Sequence, residues 1–290
     1  MKILIFGGSG QLGYDLRRRS DALNIEIIAP ISSEINISDR EQVNYLIKAV
    51  RPSIIVNSAA YTQVDDAEKN RELAFAVNCN GPKYIAEASK DIGARLIHIS
   101  TDYVFDGSLG RAITERDQTN PLNVYGESKL AGEIAVQEIL PVQSLILRTS
   151  WLHGSKGKNF VQTMIKLFQE KKELKVVNDQ FGSPTWTGWL AEVILDLSRI
   201  DCSGVIHTTC RGSTSWYDFS VEILNQIRDE LPGFVDVQIL PQSSKESVRP
   251  AVRPRHSVLD CTRLSEVLGR EPILWQDGLT AHLKELGYFK

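Results

Sequence analysis

Cysteine is scarce: Cys79, Cys202, Cys210 and Cys261 are scattered through 290 residues. There is no C-x-x-C pair and no histidine at ligand spacing, which excludes a disulfide scaffold and a structural zinc site and suits a reducing cytosol. An excess of one charge is also missing, since 33 Lys and Arg against 36 Asp and Glu leave −3. A general nucleic-acid binder or a membrane-surface protein needs a basic surplus. No apolar run approaches the roughly 18 residues of a membrane span, and Met1-Lys2-Ile3-Leu4-Ile5-Phe6 reaches glycine too soon for a signal peptide. Repeats and low-complexity tracts are absent. With 42% apolar and 24% charged residues, the composition is that of an ordinary globular chain. The expectation is a soluble cytoplasmic protein with no nucleic-acid or membrane partner.

What is present is an alternation. Short runs rich in Ile, Leu and Val occur at Lys2–Phe6, Ile25–Ala29, Ile54–Asn57, Leu96–Ser100 and Leu145–Arg148. None alternates with polar residues, as expected of strands covered on both faces. Between them, Glu41–Ala49, Leu73–Ile92 and Tyr125–Glu138 have helical character. Strand, helix, strand, repeated, predicts an α/β fold with a Rossmann-type, doubly wound parallel sheet. After Trp151 the rhythm changes. A helix is expected over Phe160–Glu170, a strand over Leu174–Asn178, a turn at Gly182-Ser183-Pro184 and a helix over Trp189–Leu197. Short elements and a Pro- and Arg-rich loop, Arg249–Arg255, follow. The expected division is a sheet domain over 1–150 and a smaller C-terminal lobe over 151–290. Their boundary interleaves near 175–210, where strands near 175 and 205 can return to the first sheet.

Lys2–Phe6 runs straight into Gly7-Gly8-Ser9-Gly10-Gln11-Leu12-Gly13, spaced G-x-x-G-x-x-G, and a helix pattern, Tyr14–Ser20, follows. Dinucleotide binding needs a tight turn, a backbone bare enough to approach a pyrophosphate, and free N–H groups at a helix start. All three occur in this order, so residues 1–150 are expected to bind NAD(P). Ile28-Ala29-Pro30, at the end of the second strand, has no Asp or Glu to hold a ribose 2′-hydroxyl. Arg17, Arg18 and Arg19, with Ser32 and Ser33, can meet a 2′-phosphate instead. The expectation leans to NADPH over NADH, although a solvated helix face accounts equally well for the arginines.

The segment from Pro121 to Lys129 contains Y-x-x-x-K. Four residues is just over one helical turn, so Tyr125 and Lys129 share a face. A phenol with a pKa of about 10 is a poor proton donor or acceptor at neutral pH, and an ammonium nearby favours the phenolate. Tyr125 is thus the candidate proton donor to a carbonyl oxygen as hydride reaches its carbon. Lys129 is the candidate to tune it and to bond the nicotinamide ribose. Leu96–Ser100 leads into Thr101 and Asp102 at the carboxyl end of a parallel strand, where ligands sit. Thr101 can donate to the same substrate oxygen.

Nearly end to end, the chain resembles the extended short-chain dehydrogenase/reductases, and within them the dTDP-4-dehydrorhamnose reductases. The blocks are Gly7–Gly13, Val56–Thr62, Ser100–Gly107, Pro121–Glu133, Arg148–Leu152, Asn159-Phe160 and Asn178–Thr185. The first and fourth are shared by the whole superfamily. Ser-Thr-Asp-Tyr-Val-Phe, Arg-Thr-Ser-Trp and Asn-Asp-Gln-Phe-Gly are particular to these reductases. The resemblance implies NAD(P)H-dependent reduction of the C4 keto group of dTDP-4-dehydro-6-deoxy-L-mannose to dTDP-L-rhamnose, a step of polysaccharide precursor biosynthesis. It implies Tyr125 as acid, Lys129 as its tuner, Thr101 and Asp102 on the sugar, and Trp151 packed against substrate. Ala59, Ala60 and Tyr61 then line the cofactor beside Gly7, Gly10, Gln11, Leu12 and Gly13, with Asn36 and Ile37 toward the adenine. Asn159 and Arg253 are candidates for the nucleotide diphosphate. Some relatives form homodimers around magnesium; the residues leave both questions open.

The chain departs from the family pattern in places. Pro30 stands where relatives often have Asp. Asn36 stands where many have an Asp that receives the adenine amino group, a bond an amide oxygen can also accept. Tyr61 replaces a frequent His, and His153 a frequent Tyr. Asp65 and Asp66 are expected as helix caps. Two rival readings remain at this level. One is another nucleotide-sugar reductase or epimerase. The other is a non-catalytic cofactor-binding subunit like the regulatory subunit of methionine adenosyltransferase.

Overall fold

In the computed structural model, which describes residues 1–21, 25–234 and 236–289, the five apolar runs become strands of one sheet. In chain order the first half contains β1 (Lys2–Phe6), α1 (Gln11–Asp21), β2 (Glu26–Ile28), α2 (Arg40–Val50), β3 (Ile54–Asn57), α3 (Val64–Ala67), α4 (Arg71–Phe75), α5 (Gly81–Ile92), β4 (Arg95–Thr101), α6 (Val124–Ile139) and β5 (Ser144–Thr149). Successive residues of a strand face opposite sides. Ile3 and Ile5 of β1 enter one core with Val56, Ile97 and Leu145, while Leu4 and Phe6 enter another with Ile55, Leu96 and Val43. Both faces are covered, so no polar alternation was available to read.

The second half adds β6 (Leu152–His153), α7 (Phe160–Glu170), β7 (Glu173–Val177), β8 (Phe181–Gly182), β9 (Thr185–Trp186), α8 (Thr187–Leu197), β10 (Gly204–His207), β11 (Thr214–Ser215), α9 (Trp216–Ile227), β12 (Gln238–Gln242), α10 (Thr262–Leu268) and α11 (Trp275–Glu285). The main sheet is parallel, in the order β10-β5-β4-β3-β1-β2. The strand near 205 therefore returns to it, pairing with β5 from Gly204–Leu145 to His207–Arg148. The strand near 175 does not. β7 pairs with β12 in a separate two-stranded ribbon. Its Glu173 and Lys175 are exposed, and the doubly covered sheet would have buried those charges without partners.

The helix expected over Leu73–Ile92 is interrupted. A π-helical turn, Ala76–Asn80, separates α4 from α5. Pro82 has no N–H to give the Asn78 carbonyl four residues back. That carbonyl instead leans on α6, where a Cβ on Gly132 would collide with it.

Candidate active site

The strand order reverses between β1 and its neighbours β2 and β3, and ligands of such sheets sit at the carboxyl ends beside that switch. There the glycine turn meets the segment after β3. Gly7 has φ +89°, and a Cβ on it would stand 2.7 Å from the Ala59 nitrogen. Gly13 is forced by close approach to the Gly7 carbonyl. Gly10 differs, because a Cβ there would meet only one atom, the Gly7 oxygen at 3.3 Å. Packing does not require glycine at Gly10, and its bare backbone faces open space. The first helical bond of α1 runs from the Tyr14 N–H to the Gly10 carbonyl, 2.9 Å, so the N–H groups of Gln11, Leu12 and Gly13 precede it. No acid stands in that first turn. Open glycine, free N–H groups and the positive end of a helix together fit a dinucleotide pyrophosphate.

The far side of this cradle is held by a residue that the sequence did not disclose. Asn78, fully buried in the π turn, accepts from the Tyr61 N–H (2.8 Å) and donates to the Tyr61 carbonyl (3.0 Å) and to the Ser128 hydroxyl (3.0 Å). It joins the Ala59–Tyr61 segment to α6. The one signal available was a proline inside a helical pattern.

Several residues expected at the cofactor are engaged elsewhere. Ile37 is buried against Gly81, whose Cβ would stand 2.8 Å from the Ile37 Cδ1. The Asn36 Oδ1 accepts from the N–H and hydroxyl of Ser38, at 3.1 and 2.7 Å, so the oxygen proposed for the adenine amino group is taken. Arg18 pairs with Glu285 and Asp15. Arg19 pairs with Glu192 at 2.8 Å and lies over the Trp186 ring. Both arginines face α8 and α11 rather than a 2′-phosphate, because that side of α1 is the one packed against the second half of the chain. Arg17 is exposed.

Thr101 ends β4. Its hydroxyl accepts from the Tyr103 N–H (3.2 Å) and donates to the Asp102 Oδ1 (3.0 Å), closing a 3-10 turn over Asp102–Val104. α6 lies directly on this turn, since a Cβ on Gly126 would collide with the Tyr103 carbonyl. The contact brings Tyr125 to the Thr101 hydroxyl and edge-on to Tyr103, with ring centroids 5.5 Å apart. Asn123 caps the helix by accepting from the Gly126 N–H (2.8 Å) and donates to the Val252 carbonyl (2.7 Å). Lys129, one turn on and 2% exposed, donates to the Ile99 carbonyl at 2.6 Å.

The electrostatics correct one expectation. Burial pushes the Tyr125 phenol well above its ordinary value, the Thr101 hydroxyl opposes this, and Asp102 and Tyr103 add to it. Lys129 is not what draws the phenol down. Burial lowers Lys129 itself to about 8, against the pull of Glu133. The phenol is therefore fully protonated at neutral pH, the state required of a donor. Burial likewise raises Asp102 to about 6, with the Ser257 and Thr101 hydroxyls opposing. Its Oδ2 is buried and without a partner, as are the hydroxyls of Ser100 and Thr149. Beneath Lys129, Arg148 makes a two-pronged buried ion pair with Glu133, with contacts of 2.6 to 3.2 Å.

A family model described as the RmlD substrate binding domain matches residues 1–288. The chain belongs to that family. The dTDP-4-dehydrorhamnose reductase of Escherichia coli (strain K12) is 38% identical over 99% of this chain and 98% of its own length. Among solved structures, a dTDP-4-dehydrorhamnose reductase from Clostridium acetobutylicum superposes with a TM-score of 0.93 at 40% identity, covering 99% of this chain and all of that one. The Bacillus anthracis reductase in complex with NADP gives 0.92 at 37%, covering 98% and 99%.

Three further residues carry the family pattern into the second half of the chain. Trp151 has φ +48° and stacks on Trp216, with ring centroids 3.4 Å apart and planes within 4°. Asn159 caps α7 and donates to the Gln11 Oε1 (3.1 Å) and the Gly154 carbonyl (2.7 Å). Its amide braces the phosphate turn. Arg253 donates to both oxygens of Asp65, at 2.9 and 2.7 Å, and the Ala251 N–H completes the contact at 3.2 Å. Asp65 is thus an anchor for the arginine loop rather than a cap, held below the ordinary carboxylate range chiefly by Arg253. Asp66 is not a cap either and accepts from the Tyr61 hydroxyl. Among the described residues no group of three or more His, Cys, Asp and Glu is placed to hold a metal ion, and no helix is long and apolar enough to cross a membrane.

Proposed function

We propose that this chain is an NAD(P)H-dependent oxidoreductase that reduces the C4 keto group of dTDP-4-dehydro-6-deoxy-L-mannose to give dTDP-L-rhamnose. The observation that carries it is a protonated phenol, Tyr125, meeting the Thr101 hydroxyl beside a buried, half-unpartnered Asp102 carboxyl. A dinucleotide seated on the glycine turn supplies the hydride. Tyr125 holds the proton for the keto oxygen. Thr101 steadies the same oxygen and eases the phenol toward release. Asp102, with Oδ2 free, accepts from a sugar hydroxyl. Lys129, held by the Ile99 carbonyl, bonds the nicotinamide ribose. The lobe after Trp151 holds the nucleotide diphosphate through Arg253, with Trp151 packed against the substrate, so remote binding energy orients the keto carbon. Four free thiols among the described residues support a reducing cytosol as the place of work.

The test is NADPH and NADH oxidation with dTDP-, GDP- and UDP-linked 4-keto-6-deoxy sugars. The dTDP substrate should turn over fastest. Tyr125→Phe should lower turnover by about two to four orders of magnitude with cofactor affinity unchanged. Undiminished turnover in that variant, or no oxidation with any sugar, sinks the proposal.

A further inference from the structure

On the reading that the diphosphate of a nucleotide sugar lies against Arg253, we propose that Asp65 is the positioning residue that fixes this arginine for it and so sets the affinity of the chain for the nucleotide. Arg253 stands where such a group falls. Its guanidinium approaches Tyr103, and the Tyr103 ring lies edge-on to Tyr125, with centroids 5.5 Å apart. In a 4-keto sugar the diphosphate leaves the ring at C1, the carbon opposite C4. A sugar whose C4 oxygen meets the Tyr125 phenol therefore carries its diphosphate a ring's breadth away, comparable with the separation that Tyr103 places between Tyr125 and Arg253. The segment around the arginine is tied to the same site. The Val252 carbonyl accepts from the Asn123 amide that caps α6, at 2.7 Å, and the Ser257 hydroxyl bonds Asp102.

The donors of the guanidinium show what Asp65 does. Nη1 gives one N–H to the Asp65 Oδ1 and one to the Ala251 carbonyl, both at 2.9 Å, and Nη2 gives one to the Asp65 Oδ2 at 2.7 Å. Asp65 thus takes the end of the fork. The Nε–H and the second Nη2–H point together along the lateral edge, and among the described residues neither meets a carboxylate or a carbonyl. That edge matches two oxygens of a phosphate. Asp65 also accepts from the Ala251 N–H at 3.2 Å, so it fixes the backbone beside the arginine as well as the side chain. The Arg253 side chain is 13% exposed and that of Asp65 36%. The carboxylate therefore sits on the wet side, where solvent and salt weaken its repulsion of a phosphate. The order it imposes on a long side chain and its loop is kept in full, and that order is what binding would otherwise have to supply.

Calorimetric titration of the NADPH-loaded chain with dTDP tests this. Arg253→Gln should weaken dTDP by about a hundredfold, and Arg253→Lys, which keeps the charge without the fork, nearly as much. Asp65→Asn keeps the shape but turns an N–H toward the guanidinium, and should weaken dTDP by about tenfold. Because Asp65 acts through Arg253, adding Asp65→Asn to Arg253→Gln should cost no more than about twofold further. In turnover with the dTDP-linked 4-keto sugar, the loss in Asp65→Asn should fall on KM rather than kcat. Losses that simply add in the double variant, or Asp65→Asn binding dTDP as well as the wild type or better, overturn the role of Asp65. Arg253→Gln binding dTDP like the wild type also overturns it and leaves Tyr125 as the proton donor. A wild type that neither binds dTDP nor reduces the sugar overturns the reductase reading with it.

Discussion

The Tyr125 phenol and the Asp102 carboxyl are both driven toward their neutral forms by the same cause, loss of water. For the phenol this is useful, because a reduction consumes its proton. For Asp102 it is a cost to stability. Its pKa is about 6 in the fold against 3.8 for an ordinary aspartate, so the fold binds this proton more tightly than the unfolded chain does. The stabilising contribution is fully present below about pH 4 and lost as pH rises through about 6, where holding the charge in a dry place costs about 2–3 kcal/mol. Asp102→Asn keeps the shape without the charge. Calorimetric melting should show Tm raised by roughly 2–8 °C at pH 8, with the gain vanishing near pH 4. Turnover should fall by at least about tenfold, since a hydrogen bond from the sugar to a charged acceptor is lost. An equal Tm gain at both pH values would remove burial of the charge as the cause. Thr101, Tyr125 and Lys129 were legible in the sequence because spacing and a strand end mark them. Asn78 and Asn123 were not. They act on partners 50 and 129 residues away.

Among the elements, α6 does the most. Its register against the Thr101 turn depends on Gly126, which lets the helix backbone approach the Tyr103 carbonyl. Gly126→Ala should lift α6 away, lowering kcat by about a hundredfold and stability by about 1–3 kcal/mol, while dinucleotide affinity changes little. Paired turnover and titration measurements check this. A kcat within about twofold of wild type would show that α6 has room to spare. Apolar runs gave every strand of the main sheet up to β5 to within two residues at either end. What they could not give was pairing. β7 and β10 look alike as short apolar runs, and only the exposed Glu173 and Lys175 separate the ribbon strand from the sheet strand. The π turn was hidden for a related reason. A missing N–H at Pro82 matters only once Gly132 of another helix has come close.

Across the whole molecule, the two halves of the chain are interlocked. The core on one face of the sheet joins Ile3, Ile5, Leu12 and Leu16 to Trp189, Leu190, Val193, Ile194 and Ile206. Thr187 at the start of α8 donates to the buried Asp15 carboxylate of α1 at 2.6 Å, and β10 covers the edge of β5. The expected boundary near residue 150 therefore marks a change in sequence rhythm and not a line along which the fold can be cut. A fragment spanning residues 1–150 should fail to fold cooperatively, because it exposes the apolar surface that α8 covers and a bare strand edge. Circular dichroism melting and hydrogen exchange of the fragment check this. A sharp two-state melt would show that the first half stands alone. Class and topology were readable from the alternation of strands and helices. The interlock was not, because it is written in contacts between residues far apart in the chain, Asp15 and Thr187 among them.

The face-to-face pair formed by Trp151 and Trp216 has an optical consequence. Indoles held parallel at van der Waals separation share their excited states, so the pair behaves as a single chromophore with its own near-ultraviolet dichroic signature. A pyrimidine settling beside Trp151 would perturb that signal, and the chain would report the arrival of its ligand without a dye, a tag or a reaction.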